Sequence, residues 1–263
     1  MNGEIDSLLE GTIARIRDRK LLLLLDYDGT LTEIAPRPEL ALPSEELLLI
    51  LARLTKLADV DAVVISGRPL RGLMELLPIS GLNFIGSHGA EGLIGGKPWT
   101  LNVDAENCGE QKELQKQLLS KLAGLNGWWL ETKPLGFALH YRQAEPAEET
   151  RIISVLESWL AKVDRSGRHQ VLQGKKVMEI LPRGVSKGAA IQEILLLHGF
   201  SEHFPVYLGD DVTDESAFQV LQGRGLTVKV GGGQGATAAN YSLANPTEVR
   251  LFLATLAIRL EEK

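Results

Sequence analysis

The sequence predicts an α/β protein: a doubly wound parallel sheet interrupted by a smaller α+β insert. Three observations carry this. Short continuous apolar runs, such as the five leucines at 21–25, end in polar turns and read as strands buried on both faces. Segments with helical spacing alternate with these runs in both the first and the last part of the chain, as β-α-β units require. Between residues 105 and 182 the order changes to helix, two strands, helix, two strands. The expected organisation is a core made of residues 1–104 and 183–263, with a cap inserted at 105–182.

Taken in order, residues 21–25 form the first strand and run into Asp26. In PSEELLLILARLTKLA (43–58), Ser44 is a helix N-cap and the leucines recur at helical spacing. DAVVISGRP (61–69) is a second buried strand ending at Ser66-Gly67-Arg68, and Pro69 suits the first turn of the helix LRGLMELL. GLNFIGSHGAEGLIGGKPW (81–99) reads as a third strand followed by a glycine-rich hairpin. In the insert, AENCGEQKELQKQLLSKLA is an amphipathic helix, and WWLETK pairs with FALHYR around Pro134-Leu135-Gly136. EPAEETRIISVLESWLAKV is its second helix, and HQVLQGKKVMEILP is a hairpin turning at Gly174. Alternation then resumes with GVSKGAAIQEILLLHG as helix, PVYLGDD as strand, TDESAFQVL as helix and LTVKVG as strand. GGGQGA (231–236) is a short flexible loop, and PTEVRLFLATLAIRLEEK closes the chain as a helix.

Composition narrows the function classes. With 263 residues, 44% hydrophobic and 24% charged, the chain can bury a real core and is long enough for two units. A net charge of −6 and a pI near 5.5 argue against a nucleic-acid partner. An anionic substrate would have to be met by a locally positive site or a metal. The lone cysteine, Cys108, excludes an internal disulfide and a cysteine-based zinc cluster, and we read it as inert. The first residues lack the basic and apolar regions of a signal peptide, and the leucine run is far short of the ~20 residues that span a bilayer. We expect a cytoplasmic monomer with no membrane partner.

The residues that can do chemistry fall at strand ends and helix starts. Asp26 sits at the carboxyl end of the first strand, where open α/β sheets bind ligands. Alternation points Asp26 and Asp28 the same way with Tyr27 opposite; Gly29 permits the turn, and Thr30 offers a hydroxyl. A hard cation such as Mg2+ would neutralise the two carboxylates and leave room for a phosphate oxygen. Equally, Asp and Gly favour turns, and DYDG alone leaves both readings open. Ser66 by itself is a turn residue, Lys187 an exposed helix lysine, and Asp214 an acid favoured at a helix start. Together with Asp210-Asp211, and in this order, they supply what phosphoryl transfer needs: a nucleophile, an acid, and charge for the equatorial oxygens.

DYDGTL at 26–31, Ser66, Lys187 in VSKGAA and GDDVTDE at 209–215 resemble the four motifs of haloacid-dehalogenase-type phosphatases, whose core is Rossmann-like. More narrowly, SGRP, GSHGAE, ETKPLGFALHYR and VMEILPRGVSKGAA resemble the trehalose-6-phosphate phosphatase family along nearly the whole chain. The resemblance implies Mg2+, a covalent aspartyl-phosphate, and hydrolysis of trehalose 6-phosphate to trehalose and phosphate in trehalose biosynthesis. Carried over, Asp26 is the nucleophile, Asp28 the general acid and then base, and Ser66 and Lys187 hold the phosphoryl oxygens. Asp26, the main-chain carbonyl of Asp28 and Asp210 are the implied metal ligands, with Asp211 and Asp214 as further ligands or water-mediated ones. Glu131, Lys133 and Glu179 would grip the glucose ring, although cross-strand ion pairs on an exposed sheet explain them as well. Tyr27, Gly67, Arg68, His88 and Arg142 complete the implied substrate-contacting set. Trp128 and Trp129 we expect to pack in the insert rather than stack on sugar, at least one of them.

Three alternatives share parts of this pattern. Sucrose-phosphate and mannosyl-3-phosphoglycerate phosphatases use the same core motifs and differ in the insert. A phospho-accepting signalling module also clusters aspartates, a hydroxyl and a lysine, but an acid two residues from the nucleophile favours loss of the phosphoryl group, and a large insert has no place in it. A catalytically silent sugar-binding protein would not need every one of these catalytic side chains.

Overall fold

A computed structural model describes residues 3–103, 111–163, 167–174, 176–197, 199–232 and 236–262. Cys108, the start of the first insert helix and part of the GGGQGA loop lie outside the described residues. The chain divides into two compact units, Met1–Leu101 with Ser186–Lys263, and Asn102–Val185.

The strands are β1 (Leu21–Leu25), β2 (Val60–Ile65), β3 (Asn83–Gly86), β4 (Glu91–Ile94), β5 (Lys97–Thr100), β6 (Trp129–Lys133), β7 (Gly136–His140), β8 (His169–Gly174), β9 (Val177–Pro182), β10 (Phe204–Gly209), β11 (Leu226–Val230) and β12 (Tyr241–Leu243). The α-helices are α1 (Gly3–Arg15), α2 (Glu45–Leu54), α3 (Leu70–Leu76), α4 (Gln111–Lys121), α5 (Pro146–Val163), α6 (Lys187–Ile194), α7 (Glu215–Leu221) and α8 (Pro246–Glu261).

In the first unit eight strands make one sheet, ordered β12-β11-β10-β1-β2-β3-β4-β5. Strands β12 to β3 run parallel, and the β4–β5 hairpin adds antiparallel at one edge. β1 lies at the centre, with Leu25 beside Val64 of β2 on one side and Leu208 of β10 on the other. Its unbroken leucine run follows from this position. Leu21, Leu23 and Leu25 pack with Ile5 and Leu8 of α1, Leu51 of α2 and Phe252 of α8. Leu22 and Leu24 pack with Ile191 of α6 and Phe218 of α7 on the opposite face. Both faces are covered, so neither tolerates a polar residue, and each fully buried leucine contributes about 1.5–3 kcal/mol. Helix starts are set by side-chain caps: Ser44 accepts from Leu47 N, Ser186 from Ala189 N, and Asn245 from Glu248 N. The helix α1 and the three-residue strand β12 are additions to the sequence-based reading.

In the second unit four antiparallel strands are ordered β6-β7-β9-β8. Phe137, Leu139, Met178 and Ile180 face the helices α4 and α5, meeting Leu114, Leu118, Ile152, Leu156 and Trp159. Trp128 packs along this layer and donates its indole N–H to Leu125 O at 2.9 Å. Alternation then puts Trp129, Glu131 and Lys133 of β6, Ala138 and His140 of β7, and Glu179 of β9 on the sheet's other face. Among the described residues no helix is long and apolar enough to cross a membrane.

Candidate active site

The carboxyl end of β1 places Asp26, whose main-chain N–H is tied to Leu208 O on β10 at 3.0 Å. Immediately after it the chain turns: Tyr27 O accepts from Leu31 N at 3.0 Å and Thr32 N at 3.1 Å. Gly29, with φ +80°, makes that turn possible, and a Cβ on it would lie 2.0 Å from Asp210 Oδ2. A glycine is therefore needed for Asp210 to approach. Thr30 donates its hydroxyl to Asp26 Oδ2 at 3.2 Å.

Lys187 reaches the same spot from the first position of α6, directly after the Ser186 cap. Its Nζ donates to Asp26 Oδ1 and to Asp214 Oδ1, both at 2.7 Å. Asp214 Oδ1 also accepts the Tyr207 hydroxyl at 2.6 Å, and its Oδ2 accepts Asp211 N at 2.8 Å. Carboxylate oxygens of Asp26, Asp210 and Asp214 lie within 4.8 Å of one another. Asp28 and Asp211 are outside this triad.

Charge is unevenly matched here. Three converging carboxylates share one ammonium. Burial holds Asp26 well above the ordinary carboxylate range; Lys187 opposes that, and Asp214 and Asp210 reinforce it. Asp210 is pushed up to about 6, by burial first and by Asp214 second. For Lys187 burial works against the charged form, but Asp26 and Asp214 overcome it and raise the ammonium above the usual lysine value. Burial raises the Tyr207 hydroxyl as well, with Asp214 beside it.

The neighbouring strand end supplies Ser66, buried at the close of β2. Its Oγ accepts Arg68 N at 3.2 Å. Two main-chain bonds staple this turn to the segment after β3: His88 N to Ser66 O at 3.0 Å, and Ser87 N to Arg68 O at 2.8 Å. Ser87 and His88 both take left-handed backbone, φ 50° and 59°. The His88 ring covers Gly67, where an added Cβ would sit 2.4 Å from it.

Asp28 is held by a side chain from the turn that follows Ser66. Its carboxylate is gripped by Arg68, Nε to Oδ2 at 2.7 Å and Nη2 to Oδ1 at 2.6 Å, a two-pronged pairing stronger than an ordinary hydrogen bond. Arg68 also donates to Pro38 O at 2.7 Å and lies 5.0 Å from the Tyr27 ring centre. The Tyr27 ring itself is fully buried, with its hydroxyl donated to Ala41 O at 2.9 Å. Only its main chain remains for a substrate.

On the second unit's polar face the three expected sugar-gripping residues enter two pairs, one of them with His140 from outside that set. Lys133 Nζ meets Glu179 Oε1 at 2.8 Å with both side chains largely buried. Glu131 Oε2 meets His140 Nε2, also at 2.8 Å. Arg142 is exposed just beyond β7.

The sequence model of the trehalose-phosphatase family matches residues 24–247. Trehalose-6-phosphate phosphatase of Escherichia coli K12 is 35% identical over 247 residues, covering 93% of this chain and 89% of that protein. The chain belongs to the trehalose-phosphatase family. It is thus a phosphoric monoester hydrolase. The C-terminal domain of Candida albicans trehalose-6-phosphate phosphatase superposes with a TM-score of 0.78 at 27% identity, covering 96% of this chain and 97% of that one. A haloacid dehalogenase-like hydrolase from Bacteroides thetaiotaomicron, at 18% identity and a TM-score of 0.68, shares the fold over 93% of this chain and 99% of that one.

As a trehalose-phosphatase the chain has a site that reads simply in chemical terms. The triad offers hard oxygen donors in excess of the available positive charge, a donor set suited to a divalent cation. Three residues at or beside the site escaped the sequence reading. Tyr207 and Lys229 place polar tips in otherwise apolar strand runs, FPVYLG and LTVKV, and that interruption is the signal to look for. Lys229 Nζ donates to Asp210 O at 2.5 Å, bracing the loop that presents Asp210. Glu91 accepts the Ser87 hydroxyl at 2.8 Å and Leu70 N at 3.2 Å, holding the turn that backs Ser66.

Proposed function

We propose that this chain hydrolyses trehalose 6-phosphate to trehalose and inorganic phosphate, as a step of trehalose biosynthesis, with Mg2+ as its metal. The observation that carries the chemistry is the buried Lys187–Asp26 contact at 2.7 Å at the end of the central strand. Family membership supports the substrate.

In this reading an Asp26 oxygen attacks phosphorus while the bond from phosphorus to the sugar oxygen breaks. That oxygen takes a proton from Asp28 and leaves as the trehalose hydroxyl. Water then attacks the aspartyl-phosphate, giving its proton to Asp28 and returning Asp26 with release of phosphate. Lys187 and the Ser66 hydroxyl donate to the phosphoryl oxygens. Mg2+ held by Asp26, Asp210 and the Asp28 carbonyl would offset charge on those oxygens. Asp214, whose two oxygens already accept hydrogen bonds, anchors Lys187 and the 209–214 turn. Because Arg68 grips Asp28, proton transfer requires the guanidinium to be drawn off, and an anionic substrate can do that. Glu131, Lys133 and Glu179 read the sugar hydroxyls. Cytoplasmic action as a monomer is part of this reading and rests on composition.

The test is phosphate release from a panel of sugar phosphates with and without Mg2+. Trehalose 6-phosphate should be hydrolysed fastest, and chelation should abolish the rate. A faster sucrose or mannosyl-glycerate ester would replace the substrate, and an undiminished rate after chelation would remove the metal.

A further inference from the structure

Strands β6 and β7 place Trp129 opposite His140 and Glu131 opposite Ala138. The indole and imidazole rings lie parallel, with centroids 4.6 Å apart and planes 2° apart. Trp129 is 42% exposed, unusually open for so large an apolar ring. The imidazole held against it points Nε2 at Glu131 Oε2, 2.8 Å away. We propose that His140 is a positioning residue for sugar recognition: it fixes the Glu131 carboxylate toward the ligand, and Trp129 is the plate that fixes His140. The inference rests on the functional reading above and adds to it a residue that reads no hydroxyl itself.

The physical reason is conformational entropy. A free glutamate side chain has much rotamer freedom to lose when it accepts from a hydroxyl, and a partner already holding one oxygen removes that loss beforehand. Glu131 needs such a partner because Lys133, its neighbour on the same strand face, is committed to Glu179. In the sheet row Glu131–Ala138–Glu179 the two carboxylates flank a methyl group. Three adjacent strands set their backbones about 10 Å apart, a span that suits a pyranose ring and its hydroxyls. Each carboxylate in that row therefore has one basic partner: imidazole for Glu131, ammonium for Glu179. His140 leaves Oε1 of Glu131 to accept from the sugar.

A double-mutant cycle on the intact protein tests this. His140→Phe keeps a flat ring against Trp129 and removes the N–H; His140→Gln keeps a donor. With trehalose 6-phosphate, His140→Phe should lower kcat/KM about 5–30-fold, the effect of one lost hydrogen bond, with a smaller change on p-nitrophenyl phosphate. His140→Gln should recover most of the loss, and Trp129→Leu should give an intermediate one. In a Glu131→Ala background His140→Phe should add nothing. Additive losses in that background, equal losses on both substrates, no loss at all, or no recovery with Gln would each overturn the proposal. The wild-type order of sugar phosphates judges the functional reading separately, because coupling between positions 131 and 140 is read as a ratio on whichever sugar phosphate the wild type hydrolyses fastest. Should His140→Phe fail to fold, Trp129→Leu and His140→Gln decide the matter by the same ratio.

Discussion

Lys187 and Asp214 meet at 2.7 Å, and both side chains are almost wholly withdrawn from water. Removing Asp214 leaves Lys187 its second partner, Asp26, at 2.7 Å, so the cost is that of the hydrogen bonds Asp214 accepts, about 3–5 kcal/mol in all. Asp214→Ala also strips the acceptor from Tyr207. We expect a loss of that size in urea unfolding for Asp214→Ala, and about 1.5–3 kcal/mol for Tyr207→Phe, which removes only one hydrogen bond to a charged group. Losses below 1 kcal/mol for both would mean that water replaces these contacts freely.

Asp26→Asn should end turnover and keep the fold. The amide is nearly the same shape and cannot form an acyl phosphate. Steady-state phosphate release by a preparation shown by mass spectrometry to be free of deamidated protein would remove Asp26 as nucleophile.

Asp28→Asn should discriminate between leaving groups. General acid catalysis contributes about 10²–10⁴-fold where the leaving oxygen needs a proton, as a sugar alcohol does. A nitrophenolate leaves without one. Rapid-quench measurement of the first step should show the sugar phosphate slowed by that order and the aryl phosphate largely spared; equal slowing would count against the acid role.

Cation binding should be linked to Asp210. Its carboxyl, raised to about 6 in the folded protein, holds a proton that the unfolded chain, at about 4, has already released. Metal-free stability should therefore fall as pH rises from about 4 to about 6, and a bound cation should displace the proton in that window. Calorimetric titration with Mg2+ in buffers of different ionisation heat should show proton release near pH 5.5 that declines as pH rises past the range of Asp210, with any proton held by the likewise raised Asp26 adding to it. An absence of release near pH 5.5 would separate Asp210 from the metal.

Lys133 and Glu179 allow stability and recognition to be separated. Either Lys133→Met or Glu179→Gln alone leaves an unmatched, largely buried partner and should lower the melting temperature. The combined Lys133→Met/Glu179→Leu protein should regain most of that stability while its kcat/KM for trehalose 6-phosphate stays low. Recovery of activity along with stability would assign the pair to folding alone.

What the sequence disclosed, and what it withheld, has a physical pattern. The central strand was legible because burial on both faces demands an uninterrupted apolar run, and the acids at its end stand out against that run. The β6–β7 pairing was legible from Pro134-Leu135-Gly136, since turn chemistry is local. The grip of Arg68 on Asp28 was not, because it joins residues 40 apart and depends on how the turn after Asp26 rotates. Tyr207 looked like one more apolar residue of a strand, and its hydroxyl acquires meaning only when Asp214 folds back beneath it. His140 stood within reach: once β6 and β7 are paired, register alone sets it opposite Trp129. The helix α1 lies beside the motif-bearing core without contributing a strand end, and β12 has three residues, too few for periodicity to register.

The central strand has consequences for how the enzyme comes into being. Leu21 pairs with Val60 on one side and with Phe204 on the other, and Lys187 lies 161 residues beyond Asp26. During synthesis β1 therefore acquires its first neighbour early and waits for its second until most of the chain has been made. The entropy of closing such a loop grows only logarithmically, about 0.6 kcal/mol for each doubling, so a long insertion costs the finished fold little. It weighs on rate instead, since pairings so distant in sequence form slowly. A partly made chain holds Asp26 without the ammonium that serves it, and catalytic competence arrives only with the closing of the sheet.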